Sequence, residues 1–520
     1  MVKALLAGIS LIFVISAQAQ NEFTIKGKIS GLKDSTQIVL YRSDGQVMSQ
    51  IAQDTVINEC FTFKGETVDN APEALMVSSH DKGFPNTWLD VWVAPGKETT
   101  VTGNNKLIRT WNVSADIQEQ QDLNRYADAC REECSKEQEI YIQLMDLFSK
   151  GRTGNPSEEE KNAIRNEMKE LQKKTDSLRL ISSQKEIEIM QQTPKGTVWM
   201  DKLLGQCKQS KYMENYPYKE DLIALYNKLS DNEKNSQAGK EITVCLYPPV
   251  TVKEGDEMAD TDLYDLQGNI HHLADYKGKY LLVDFWSRGC GPCMMALPEM
   301  KEISETWKDK VTVISLSTDT EKGWKEISKT KDMSWVNLND FGGMSGLAAK
   351  YNVRGIPHYV IISPEGIILH SWSGYGKGLL KRKLNKWVNK SDRVMSVKKE
   401  GNTTIVDFPI EKSSNTETVE INRIELTGSE TIFHMKAFNS PGYWVSIGKD
   451  TFLKTEDGTH YPLTSADGIT PDERFTMPES GEYSFKLHFP ALPAGTKTVD
   501  FIEGDCDSCF KIVGLSLTQE

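Results

Sequence analysis

Two cysteines in "VDFWSRGCGPC" (283–293), Cys290 and Cys293, are the residues of this 520-residue sequence best placed to do chemistry. A pair with two residues between can chelate zinc, close a structural disulfide, or cycle between dithiol and disulfide, and its surroundings decide which. Here "YLLVDFW" reads as a buried strand, and the residues after the first cysteine read as a helix. At a helix N-terminus the unsatisfied amide N–H groups and the dipole stabilise a thiolate, lowering a cysteine pKa from about 8.5 toward 7 or below. Cys290 is then a nucleophile at neutral pH. Cys293, one turn further on and less exposed, is placed to attack the mixed disulfide that Cys290 forms with a substrate. Pro292, after Gly291, suits the first turn of a helix, where a missing N–H costs nothing.

A second pair, Cys506 and Cys509 in "GDCDSCF", lies in a hairpin loop between "TVDFIEG" and "FKIVGLSL". No helix follows to stabilise a thiolate, so a local structural disulfide is expected there, with an electron relay to Cys290 and Cys293 or a metal site as the alternatives. Four sulfurs from the two pairs could in principle hold zinc, but the Gly-Pro spacer and helical context favour redox cycling, and no metal or other cofactor is expected. Cys130 and Cys134 stand four apart on a helix and share a face; they read as small buried hydrophobes. The sequence has nine cysteines. An odd count leaves at least one thiol free or paired with another molecule. His358, at the start of a strand, could touch substrate but reads as an ordinary surface or packing residue.

The elements that carry these residues fall into several segments. From Glu22 to about Asn112, short alternating runs such as "FTIKGKI", "TQIVLYR" and "FTFKGETV" are punctuated by Gly, Asp, Asn and Pro. This pattern predicts a small antiparallel β domain over 20–114. A Glu-, Lys-, Gln- and Leu-rich region over 115–232 predicts two long helices, the second starting at "NPSEEE" with its acidic first turn, and shorter helices at Thr197 to Lys208 and Lys219 to Leu229. Residues 233–251, with Pro248 and Pro249, show no clear period and read as a linker. Strands alternate with helices between Thr261 and Asn389, predicting an α/β layer with helices on both faces of a sheet, within a domain at 252–392. Beyond Asp392 the chain is β-rich again, with "EDGT" (456–459) as a hairpin turn. An immunoglobulin-like β-sandwich is expected over 393–520. The fold class is therefore multi-domain, a central α/β domain flanked by β domains.

The first twenty residues set the compartment. "MVKALLAGISLIFVISAQAQ" has Lys3, an apolar run from Ala4 to Ile15, and Ala17-Gln18-Ala19, the three-part pattern of a signal peptide over 1–19. Its apolar run is well short of the roughly 20 residues a membrane span needs. A soluble protein, periplasmic or otherwise exported and beginning near Gln20, is expected. With 26% charged and 38% apolar residues the composition is globular. The net charge of −13 argues against nucleic acid as a partner.

These motifs together resemble the thioredoxins, and more closely the exported thioredoxin-like disulfide reductases of the TlpA and ResA type. "YLLVDFW" matches the family's central strand and "CGPC" its active-site sequence. Pro298 matches the proline that kinks the active-site helix, and "YNVRGIPHYVIISPEGIIL" the segment around a cis-proline. The resemblance spans about Val252 to Trp387. It implies a thioredoxin-like fold in which Cys290 attacks, Cys293 resolves, and Asp284 is the buried acid that shuttles the resolving proton. It also implies a cis bond at Ile356-Pro357, with Pro357 facing the disulfide and the Ile356 backbone pairing with an extended substrate. Trp286 packs beneath the loop. Gly289 departs from the family, which places tryptophan before the first cysteine.

The function expected is thiol-disulfide oxidoreduction of protein substrates. The Gly-Pro spacer resembles that of thioredoxin, a reducing protein at about −270 mV, and points to reductase more than oxidase. The family implies a membrane electron donor, with cytochrome c maturation or disulfide repair as uses. A thiol peroxidase on the same fold, with Ser287 where those relatives carry threonine, is one alternative. A binding protein in which the thioredoxin part is accessory is another. The two long helices could pack on the β domain or mediate dimerisation, and the sequence leaves the oligomeric state open.

Overall fold

The computed structural model describes residues 21–153, 157–213, 215–388, 394–416, 418–439, 441–504 and 509–518. The expected signal peptide lies outside them. The chain divides into two compact units, Met1–Pro249 and Val250–Glu520.

The first unit opens with two four-stranded sheets. One runs in the order Cys60–Glu66, Glu22–Ile29, Glu98–Gly103, Asn112–Ala115, and the other Met48–Thr55, Gln37–Ser43, Glu73–Ser78, Leu89–Val93. Alternation along Glu22–Ile29 turns Phe23, Ile25 and Ile29 into a core shared with Leu40, Leu75, Val77 and Val91. The domain is not wholly antiparallel, because Glu22–Ile29 pairs parallel with Glu98–Gly103. Between those two strands the chain visits the second sheet, and a parallel pair needs such a long crossover. Strand Met48–Thr55 escaped the alternation reading because it lies at a sheet edge and is mostly exposed, so nothing forces an apolar period on it.

Gly27 sits opposite Phe61 in the ladder, and a Cβ there would lie 2.1 Å from the Phe61 ring. Gly27→Ala is expected to destabilise the first unit by roughly 1–3 kcal/mol through overpacking. Urea denaturation of the two proteins measures this directly.

The first helical run is broken. Gln118–Ala129 ends at Cys130 (φ −104°, ψ 11°) and Arg131–Thr153 follows at once, with the Cys134 N–H bonded to the Cys130 carbonyl at 2.9 Å. Glu158–Gln192 is a single helix whose Ser157 cap and Glu160 form a reciprocal capping box. Thr197–Tyr212 and Lys219–Asn227 follow. The reading of 233–251 as a linker is wrong for most of its length. Asp231–Asn235 and Gln237–Leu246 are helices, started by Ser230 and Ser236. Ile242 and Leu246, four apart, are buried with Leu203 and Leu222 in the helical core. Two short helices with separate caps never build the long period that a scan of the sequence detects, and only the residues after Leu246 are irregular.

In the second unit a seven-stranded sheet runs Ile270–His271, Leu263–Tyr264, Val336–Asn339, Val311–Ser317, Tyr280–Trp286, His358–Ile362, Ile368–Ser373. Within it, Tyr280–Trp286 is parallel to Val311–Ser317 and antiparallel to His358–Ile362. Leu281, Val283 and Phe285 pack on one face with Leu347 and Tyr351. Leu282 packs on the other with Ala296, Met300 and Ile303 of helix Gly291–Thr306 and with Leu380 and Leu384 of helix Leu379–Val388. Helices on both faces are what the alternating pattern predicted.

The rest of the unit holds a six-stranded and a five-stranded sheet around Phe433, Phe489 and Phe501, with a two-stranded pair, Trp444–Val445 and Phe475–Thr476. The "EDGT" turn joins Phe452–Thr455 to His460–Pro462, with Gly458 at φ +85° and its N–H on the Thr455 carbonyl. Among the described residues no helix is long and apolar enough to cross a membrane.

Candidate functional site

Strand Tyr280–Trp286 ends where helix Gly291–Thr306 is about to begin, and three residues, Ser287 to Gly289, join them. Cys290 is the N-cap. It is bonded to Cys293, and its sulfur also accepts the Cys293 N–H at 3.2 Å. That contact uses one of the amides a helix start leaves unsatisfied. Gly291 and Pro292 form the first turn and Pro298 lies inside the helix. Cys290 is half-buried, whereas Cys293 is 2% exposed.

Behind the pair lies an apolar cluster. Trp286, Cys293 and Trp324 are buried together, and Cys290, Met294, Phe341 and Ile356 pack at its margin. The Ile356–Pro357 bond is cis and Pro357 is buried, its carbonyl accepting the Gly374 N–H at 2.8 Å. The chain thus brings Trp286, Cys290, Cys293 and Ile356 into one place although they span some seventy positions. Met295, two residues past Cys293 on the same helix, is 68% exposed.

Asp284 lies two residues before Trp286 on strand Tyr280–Trp286, so both side chains leave the same face of the sheet as Leu282, the face covered by the Cys290–Cys293 helix. It is 3% exposed. Burial pushes its carboxyl pKa up to about 7, opposed by the hydrogen bond that the Ser315 hydroxyl donates to Oδ2 at 3.2 Å. The Trp335 indole N–H in turn donates to Ser315. Oδ1 of Asp284 is buried with no hydrogen-bond partner among the described residues. A carboxyl in this state exchanges its proton near neutral pH, as a general acid or base must.

The sequence reading missed two acids that the structure brings to the site. Asp319, 1% exposed, follows the end of strand Val311–Ser317 and accepts from the Ser287 hydroxyl at 2.7 Å, the Arg288 N–H at 2.9 Å and the Ser317 hydroxyl at 3.0 Å. Nothing local in "SLSTDT" marks it, because two of its partners, Ser287 and Arg288, come from the connector some thirty residues earlier. Glu299, on helix Gly291–Thr306, accepts from the Gly378 and Lys381 N–H groups and the Tyr375 hydroxyl, tying that helix to the start of Leu379–Val388. The acid next to Pro298 was visible, but its role as a remote cap was not.

His358 is buried between the hydroxyls of Ser373 (2.8 Å) and Ser371 (2.9 Å), and burial pulls its pKa down to about 4, so it is neutral at pH 7. Cys130 and Cys134 are buried, and burial pushes the Cys130 thiol up to about 11 and raises that of Cys134. Cys506 lies outside the described residues, as does any account of its pairing; Cys509 is disulfide-bonded. Among the described residues no group of three or more His, Cys, Asp or Glu is arranged to hold a metal.

Residues 254–371 match the AhpC/TSA family. The chain is 32% identical over 123 residues to the thioredoxin-like protein YneN of Bacillus subtilis, covering 71% of that protein and 23% of this one. It is 30% identical over 136 residues to the thiol-disulfide oxidoreductase ResA of Bacillus thuringiensis, covering 78% of it and 25% of this chain. Among solved structures, the thioredoxin domain of a thiol-disulfide oxidoreductase from Bacteroides vulgatus is matched over its whole length and 27% of this chain, at 30% identity and a TM-score of 0.25. On the strength of the two relatives, this chain belongs to the thioredoxin-like thiol-disulfide oxidoreductases.

Proposed function

We propose that the chain is an exported protein-disulfide reductase that works through Cys290 and Cys293. The observation that carries the reading is the helix start, where Cys290 is the cap, its sulfur accepts an amide N–H, and Cys293 lies buried behind it. In the reduced protein the Cys290 thiolate attacks one sulfur of a substrate disulfide. That bond breaks, the departing substrate sulfur takes up a proton, and a mixed disulfide remains on Cys290. Cys293 then gives its proton to Asp284 and attacks the Cys290 sulfur, releasing the second substrate thiolate. Two electrons have passed from the dithiol to the substrate, and the enzyme holds the Cys290–Cys293 disulfide that the structure contains.

Ile356, in contact with the same apolar cluster, is where an extended substrate strand would lie, with Pro357, Gly291 and Pro292 shaping the surface around the sulfurs. A membrane electron donor would return the enzyme to the dithiol, and cytochrome c maturation or disulfide repair would be its use. The peroxidase alternative gains nothing from Ser287, whose hydroxyl is engaged by Asp319.

A Cys293→Ser variant cannot resolve the intermediate. It is expected to accumulate reductant-sensitive adducts of exported proteins at Cys290, whose identities separate cytochrome maturation from repair. Adducts at another cysteine, or none at all, would reject the reading.

A further inference from the structure

Asp319 sits at the end of one strand and reaches across to the loop that leaves its parallel neighbour. Trp286 and Ser317 are paired in that ladder, and the Thr318 N–H still bonds the Trp286 carbonyl at 2.9 Å. Past that point the strands part, and the Asp319 carboxylate takes over. Oδ1 accepts the Ser287 hydroxyl and Oδ2 the Arg288 N–H, so two consecutive residues of the three-residue connector hang on one buried group. Ser287 carries the tie forward, its hydroxyl accepting the Gly289 N–H at 3.3 Å and its carbonyl the Cys290 N–H at 3.0 Å. Asp319 is itself fixed from behind. Its N–H donates to Ser317 at 3.1 Å, and its carbonyl accepts from the Asn339 side chain at 2.9 Å.

Arg288, two residues before Cys290, is seated by the same group. Its Nε lies 3.9 Å from Oδ1 of Asp319, and its Nη1 lies 3.7 Å from Glu326. The guanidinium rests against Gly323, where a Cβ would come within 2.7 Å of Nε. The Asp319 carboxylate thus fixes the connector and also faces the cation nearest in sequence to Cys290.

We infer that Asp319 is a positioning residue for the redox reaction, holding the Ser287–Gly289 connector so that the Cys290 sulfur stays on the amide end of the helix. The inference rests on the reading of Cys290 as the attacking thiolate. It goes beyond that reading because it makes the reactivity of Cys290 depend on a side chain twenty-nine positions away that touches neither sulfur nor substrate.

Three roles for Asp319 leave different signatures in the pH profile of Cys290 alkylation. If Asp319 positions the loop, replacing it lets Cys290 drift from the amides, so the thiolate loses stabilisation and its pKa rises. If it acts only through its charge, removing an anion near a thiolate lowers that pKa. If it only supports the fold, the melting temperature drops and the pKa stays.

The experiment follows iodoacetamide labelling of Cys290 against pH in the reduced full-length protein, with peptide mapping, for wild type, Asp319→Asn and Ser287→Ala. The expected result is an upward shift in Asp319→Asn, making labelling at pH 7 about 3- to 10-fold slower, the range set by a thiol moving back toward its unperturbed pKa near 8.5. A smaller shift of the same sign is expected in Ser287→Ala, which removes one donor and keeps the carboxylate. A downward or absent shift in Asp319→Asn, with wild-type Cys290 acidified, overturns the inference. Should Asp319→Asn fail to fold, an unshifted Ser287→Ala profile overturns it equally. An unperturbed wild-type profile would instead mean that the reading beneath it is wrong.

Discussion

Cys290→Ala is expected to lower the rate of protein-disulfide reduction by at least about a thousandfold, because it removes the only step that forms a bond to substrate and offers no substitute nucleophile. Cys293 cannot take over, since it is 2% exposed beneath the first turn of the helix. The fold should survive, because Cys290 is only half-buried and sits at the margin of its apolar cluster. Turnover of a fluorescent disulfide substrate by reduced wild type and variant measures the loss. A variant retaining a tenth of the activity would mean that the reaction runs through another thiol. Cys293→Ala should behave differently, completing the first attack and then stalling as a mixed disulfide.

Asp284→Asn is expected to make the enzyme slower and the protein more stable. Loss of the proton acceptor for Cys293 should slow resolution of the mixed disulfide by about 10²-fold at neutral pH, the low end of what a positioned acid or base contributes. Because burial pushes the Asp284 pKa up to about 7, resolution in the wild type should slow as pH falls below that value and the carboxylate is protonated. The stability effect has the opposite sense. In the unfolded chain this carboxyl ionises near its ordinary 3.8, and in the folded chain near 7, so the folded state holds the extra proton between those values. The favourable contribution is complete below about pH 4 and is lost as pH rises to about 7. Above pH 7 the wild type carries a buried carboxylate with one oxygen unpartnered among the described residues, and the neutral amide relieves it of a cost of up to about 4 kcal/mol. Urea denaturation at pH 4 and pH 8 should show the variant gaining on the wild type only at the higher pH. Equal stabilities at pH 8 would mean that Asp284 is neither as buried nor as poised as its surroundings indicate.

What could be read from the sequence follows from how local each signal is. The strand Tyr280–Trp286 and the helix after Cys290 announce themselves in a dozen consecutive residues, since an apolar run interrupted only by Asp284 and a Gly-Pro first turn leave little choice of structure. The cis Ile356–Pro357 bond was legible only through family resemblance, because nothing in the residues flanking a proline dictates its isomer. Asp319 and Glu299 were invisible for a different reason. Each serves backbone groups in a distant segment, and a carboxylate that closes a long-range contact has the same local sequence context as one in water. The helices at 231–246 were hidden by their shortness, and the parallel pair in the first sheet by a crossover that only the strand order reveals.

The central claim is that the helix beginning after Cys290 makes its sulfur a stable anion. Alkylation of Cys290 in the reduced Cys293→Ser protein, followed by peptide mapping from pH 5 to 10, tests it most directly. The rate should reach half its maximum at pH 7 or below, and at pH 7 should exceed that of an unstructured peptide thiol. A midpoint near 8.5, with a rate at pH 7 equal to that of the peptide, would contradict the account.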